Sequence, residues 1–202
     1  MNPEDNRARW LAVIRHAEGT VKNKNPYGTA FTGAQFDNSK IHDGKVRGSA
    51  SGYQSDAAGA YQFKLDTWTW VNNGNLPMTK ENQDNAATKL AAGRGVDIKT
   101  APLTQENLAK LSPEWASLPT LAGKSYYGQP VKSYKELLSV FKGFKPPTFV
   151  EKVNTRLDKK HSNVKTKPLV IPEIRKTEEK LNPLQILSKT LQHSLQILGN
   201  KR

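Results

Sequence analysis

A chain of 202 residues with 31 Lys and Arg against 18 Asp and Glu carries a formal charge of +13, and it contains no cysteine. The length suits one domain with an extension, and the lack of cysteine excludes a disulfide framework, a thiolate nucleophile and a thiolate metal site. No stretch approaches the ~20 apolar residues of a membrane-spanning helix, so neither a signal peptide nor a transmembrane segment is expected, while the charge favours a polyanionic partner such as nucleic acid, an anionic membrane or an acidic cell-wall polymer.

In chain order, Asn2-Pro3-Glu4-Asp5 reads as a helix start: an N-cap, a proline at the first helical position, and two acids where the helix dipole favours them. Trp10, Val13, Ile14 and Ala17 follow at helical spacing, and Gly19 is the expected stop. From Lys22 to Gly59 the composition turns to Gly, Asn, Ser, Thr and Asp with scattered Tyr, Phe and Val, which predicts short strands and turns. Helices are expected again over 64–73, 80–93, 104–111 and 131–142. One early strand block among helices is an α+β order, not an alternating βαβ one.

Past Pro146-Pro147 the chain changes character. Residues 1–150 hold 19 basic and 13 acidic side chains (+6), and 151–202 hold 12 and 5 (+7). Every Trp, Tyr and Phe lies at or before Phe149, so only the first part can build an aromatic core. Residues 151–176 read as a basic, proline-broken linker. Beyond it Leu184-Gln185-Ile186-Leu187 recurs eleven residues later as Leu195-Gln196-Ile197-Leu198, about three helical turns on, which puts both copies on one helix face. Such a stripe either packs back on the domain, docks on another protein, self-associates or lies on a membrane surface.

The chain lacks a Gly-rich phosphate loop, a Gly-x-Ser-x-Gly elbow and HExxH, and His16, His42, His161 and His193 have no metal-ligand spacing. Phosphoryl transfer, serine hydrolysis and zinc proteolysis are disfavoured, and neither a metal nor a cofactor is called for. Glu18, in Arg15-His16-Ala17-Glu18-Gly19-Thr20, is the notable carboxylate. In the last turn of a helix the dipole disfavours its ionised form, and apolar neighbours such as Trp10 or Ile14 would push the same way. A carboxylic acid kept protonated near neutral pH suits general-acid cleavage of a glycosidic bond; taken alone, the pattern fits a solvated helix end better. Ala57-Ala58-Gly59-Ala60-Tyr61-Gln62-Phe63 combines close backbone approach with a stacking face and an amide, as sugar sites often do, or is an ordinary loop entering a helix with Tyr61 in the core. Trp115-Ala116-Ser117-Leu118-Pro119 and Tyr126-Tyr127-Gly128-Gln129 are aromatic-rich turns of a kind that more often serves packing than binding.

Together and in this order these segments resemble the endolysins of the bacteriophage lambda type, peptidoglycan lytic transglycosylases of the lysozyme-like superfamily. The resemblance runs from about Arg7 to Lys142 and rests on Ala17-Glu18-Gly19-Thr20, Tyr27-Gly28, Gly33-x-x-Phe36 with His42 after it, Gly59-Ala60-Tyr61-Gln62, Trp115-Ala116-Ser117-Leu118-Pro119 and Tyr127-Gly128-Gln129. It implies a two-lobed lysozyme-like α+β fold, mainly helical with a small antiparallel sheet, and Glu18 at the end of the first helix facing a saccharide cleft. It implies cleavage of the β-1,4 bond between N-acetylmuramic acid and N-acetylglucosamine, with Glu18 serving as acid and then as base while the muramic C6 hydroxyl closes a 1,6-anhydro ring. Gly59, Tyr61 and Gln62 would contact the sugars, and Tyr127 and Gln129 would line the opposite wall. His42 would support the cleft or be a satisfied structural histidine. His16 departs from the residue types expected beside the acid, and if close and protonated it would lower the Glu18 pKa. Asp37, Asp43, Asp56 and Asp66 fall in no matched catalytic motif, and position 27, where common phage lysozymes carry a second acid, is Tyr; transglycosylation is therefore preferred to hydrolysis.

The expected organisation is a catalytic domain over 1–145, a Pro- and Lys-rich linker over 146–180 and an amphipathic helix over 181–202. The alternatives are a virion- or injection-machine-associated muramidase docked through its tail to another phage protein, and, more remotely, a basic nucleic-acid-binding protein, against which stands the absence of a helix-turn-helix, RRM or KH signature. As a lysis enzyme the chain would reside in the host cytoplasm before release to the wall; as a docked muramidase it would be carried by the virion.

Overall fold

A computed structural model describes residues 2–145; the expected linker and amphipathic helix lie outside the described residues. Helix α1 spans Pro3–Ala17, with the Asn2 side chain accepting from the backbone N–H of Glu4 at 2.9 Å and Arg15 and His16 in the last turn. Its apolar face is the centre of the core: Trp10, Val13 and Ile14 are fully buried. Trp10 also donates its indole N–H to the Ala101 carbonyl at 2.9 Å and meets the ring of Phe141 edge-on at 6.0 Å. The aromatic bodies fill volume while each buried N–H keeps a partner.

The segment that follows is a chain of turns. Short 3-10 turns lie at Thr20–Lys22, Pro26–Gly28 and Phe31–Gly33. The sheet is one two-residue antiparallel pair, β1 (Arg47–Gly48) with β2 (Gln54–Ser55), in the register Arg47 to Ser55 and Gly48 to Gln54. Isolated bridges join Ala30 to Ala58 and Ala58 to Phe63. Turns outweigh strands here because short polar side chains capture the backbone: Asp37 accepts from Ser39 N–H, and Asp43 from Lys45 N–H.

Helices α2 (Leu65–Asn72), α3 (Lys80–Gly93), α4 (Gln105–Leu111) and α5 (Tyr134–Gly143) complete the domain. Thr79, Thr104 and Ser133 cap α3, α4 and α5 by accepting from the N–H of Asn82, Asn107 and Glu136, which is why these helices begin where they do. Arg9 on α1 donates to the carbonyls of Phe141 and Lys142, satisfying the end of α5. The mainly helical α+β order expected from the sequence is what forms. No helix among the described residues is long and apolar enough to cross a membrane.

Candidate active site

Glu18 is the C-cap of α1, with φ −68° and ψ −7°, and its N–H still donates to the Ile14 carbonyl at 2.9 Å. Gly19 then takes φ +73°, a conformation glycine adopts without strain, and turns the chain away. The residues on either side of Glu18 are pinned. Thr20, 1% exposed, donates its hydroxyl to the Ala60 carbonyl at 2.8 Å. Arg15, one turn earlier, donates to the Tyr61 hydroxyl at 2.8 Å.

Among the described residues the half-buried Glu18 carboxyl has one side-chain hydrogen-bond partner: the Ser117 hydroxyl donates to Oε1 at 2.5 Å. Desolvation by burial drives the carboxyl pKa up, and the Ser117 hydrogen bond opposes it, leaving the group at about 7. Ser117 sits in a braced turn, since Leu118 N–H donates to the Trp115 carbonyl and Ser125 Oγ to the Ala116 carbonyl. The Trp115 indole donates to the Tyr61 carbonyl at 3.2 Å, joining this turn to the Gly59–Gln62 loop. Ser117 lay within a motif noted in the sequence, yet nothing in the sequence marks it as the partner of the acid.

Beneath the loop is a buried polar network. Asp84 on α3, 8% exposed, accepts from the hydroxyls of Tyr61 at 2.5 Å and Tyr27 at 2.9 Å, and its other oxygen from Lys80 Nζ at 2.6 Å. Next to it, the fully buried Gln83 accepts from Ala60 N–H at 2.7 Å and donates to the carbonyls of Tyr27 and Met78. Gly59 at φ +83° lies against this amide, leaving no room for a Cβ. Nothing in the sequence distinguishes Gln83 and Asp84, because a polar pair in a helix looks like a solvated face until the chain folds over it.

Tyr61, expected to contact sugars, is 1% exposed, and its hydroxyl is committed to Asp84 and Arg15. Its ring belongs to the core, and only its margin reaches the surface. Gln62, at φ +50°, donates to the carbonyls of Thr29 and Gly59, so its amide braces the loop. Tyr61, Gln62 and Tyr127 line one cavity of about 430 Å³, together with Trp70, Arg94 and Trp115 among others. Glu18 and Gln129 are not among its lining residues. Tyr127 is 61% exposed and donates its hydroxyl to the Pro113 carbonyl; Gln129 is exposed.

The two histidines resolve differently. His16 faces Glu136 on α5 at 2.7 Å and is not among the causes of the Glu18 shift. His42 is 2% exposed; its Nδ1 accepts from Gly44 N–H at 3.0 Å, so its Nε2 donates to the Phe63 carbonyl at 2.9 Å. Both ring nitrogens are satisfied, which makes it a structural histidine. Three other carboxylates near the loops serve structure: Asp43 pairs with Arg47, Asp56 accepts from Leu65 N–H at the start of α2, and Glu114 pairs with Arg94. No cluster of His, Cys, Asp or Glu among the described residues could hold a metal ion.

A half-buried acid at a helix end, poised near pH 7 and held by one hydroxyl, can both give and take a proton. Two solved structures share this architecture. Bacteriophage lambda lysozyme complexed with a chitohexasaccharide superposes with a TM-score of 0.59 at 24% identity, covering 68% of this chain and 92% of that one. A second structure of lysozyme from bacteriophage lambda gives 0.56 at 22% identity with the same coverage. At these identities the likeness establishes the fold, which is lysozyme-like. None of the curated proteins matches the chain. The family model for endolysins matches residues 8–145, and the chain accordingly belongs to the endolysin family, as a phage enzyme that degrades peptidoglycan.

Proposed function

We propose that the chain cuts the β-1,4 bond between N-acetylmuramic acid and N-acetylglucosamine by lytic transglycosylation, with Glu18 as the only catalytic carboxyl. The observation that carries this reading is the Glu18 carboxyl itself, raised to about 7 by desolvation and hydrogen-bonded, among the described side chains, to Ser117 alone. At neutral pH a large share of such a group is protonated, ready to act as acid, and its conjugate base is strong enough to act next. In the first step the Glu18 proton passes to the glycosidic oxygen as the bond from that oxygen to the muramic C1 breaks. In the second, the carboxylate takes the proton of the muramic C6 hydroxyl, whose oxygen bonds to C1. Water is not consumed, and Glu18 ends protonated as it began.

One carboxyl suffices because the nucleophile belongs to the substrate, whereas a hydrolytic pair needs a second acid free to act. The commitments of Asp43, Asp56 and Glu114 to Arg47, Leu65 N–H and Arg94 support the single-acid reading. Gly59 and Gln62 would present backbone and amide to the sugars, Tyr127 and Gln129 would meet them from the other wall, and Tyr61 would hold the loop from beneath. Glu18→Gln tests the assignment: it should lower lysis of purified peptidoglycan by about 10²–10⁴-fold while leaving the fold and wall binding intact. An active Glu18→Gln enzyme would refute it.

A further inference from the structure

Three of the four indole N–H groups in this chain donate to backbone carbonyls: Trp10 to Ala101, Trp68 to Leu76 and Trp115 to Tyr61. Trp70 donates to nothing among the described residues and is 73% exposed, although Trp68, two positions earlier on α2, is fully buried. Two residues on a helix are about 200° apart, so burial of Trp68 turns Trp70 outward. It stands on the wall of the 430 Å³ cavity with Gln62, Lys64, Thr67 and Tyr127. Part of the remaining wall is the Arg94–Glu114 ion pair, with contacts at 2.9 and 3.2 Å, which cancels its own charge. Lys64 is exposed and has no ion-pair partner among the described residues, so the lining presents one uncompensated cation.

The cavity is close to the acid without containing it. Trp115 on its wall is two residues from Ser117, and Gln62 belongs to the loop bonded to Thr20 through Ala60. The glycan backbone is neutral and needs no cation. The peptide stems on the muramic residues carry carboxylates, with amide planes that lie against aromatic rings and pair with an indole N–H or a glutamine amide.

We propose that this cavity binds the carboxylate-bearing peptide stem of peptidoglycan, with Trp70 as its aromatic wall, the Trp70 indole N–H as a donor and Lys64 as the counter-charge. The proposal rests on the reading of the chain as an enzyme that cuts muramic glycans, and its test does not require cleavage. The full chain is titrated with the free tetrapeptide L-Ala-γ-D-Glu-diaminopimelate-D-Ala, following the Trp70 indole N–H by NMR and the affinity by calorimetry, with neutral chitohexaose as the comparison. The tetrapeptide should shift that resonance saturably, and Lys64→Glu and Trp70→Ala should each weaken its binding about tenfold, the scale of one charge-assisted contact. Both substituted side chains are solvent-facing, so the variants should retain the wild-type fold. Absence of tetrapeptide binding, equal binding to all three proteins, or a Trp70 shift produced by chitohexaose and not by the peptide would overturn it. A chain that bound the peptide but cleaved no peptidoglycan would instead refute the proposed reaction.

Discussion

The Ser117 hydroxyl donates to Glu18 Oε1 across 2.5 Å, joining residues 99 positions apart in the chain. A donor to a carboxylate favours the ionised form, so this contact works against the desolvation that raises the pKa. Ser117→Ala should therefore raise the Glu18 pKa further. The alkaline limb of the kcat/KM profile, where the protonated acid is lost, should move to higher pH by about half a unit to one unit. An alkaline limb that stays in place or moves down would show that Ser117 does not set the acid.

Glu18 also makes stability depend on pH. Its native pKa of about 7 lies above the ordinary 4.5, so between those values the native state holds a proton that the unfolded chain has lost. Stability conferred by this group thus falls as pH rises through that window. The neutral amide of Glu18→Gln has no such dependence. The variant should melt above the wild type at pH 8, with the difference vanishing near pH 4.5, as thermal unfolding at a series of pH values will show.

Asp84 holds the site from below. Removing its carboxylate in Asp84→Ala leaves the Tyr61 and Tyr27 hydroxyls without their acceptor and Arg15, 14% exposed, without its nearest anion. A broken buried charge network of this kind costs about 3–5 kcal/mol. Urea unfolding should show a lower midpoint with an unchanged slope.

Gly59→Ala tests the loop. At φ +83° a side chain is strained, and its Cβ would overlap the Gln83 amide, so a loss of at least about 1–3 kcal/mol is expected. Gly19→Ala is the comparison: it carries the same sign of φ but has open space around it, and should cost less.

Local signals in the sequence suffice where one residue decides the outcome. Thr79, Thr104 and Ser133 cap helices close to the expected starts, and Gly19 ends the first helix beside Glu18. The last helix begins at Tyr134 and not at 131 because Ser133 captures the Glu136 N–H. What escaped was long-range. Tyr61 is a polar aromatic in a small-residue loop, and only the arrival of Asp84 and Arg15 from two helices determines that its hydroxyl points inward. The expected strands shrank to a two-residue pair because Asp37, Asp43 and Ser49 close turns with their own side chains. Trp70 and Trp68 are indistinguishable by composition, and the helix period separates them only once the core side of α2 is known.

Cleavage by one carboxyl with a substrate hydroxyl as nucleophile is tested most directly by mass analysis of the muropeptides released from purified peptidoglycan. Products ending in 1,6-anhydro-N-acetylmuramic acid, each lighter by one water than the hydrolytic product, are predicted. Products with reducing N-acetylmuramic ends and no anhydro form would contradict it.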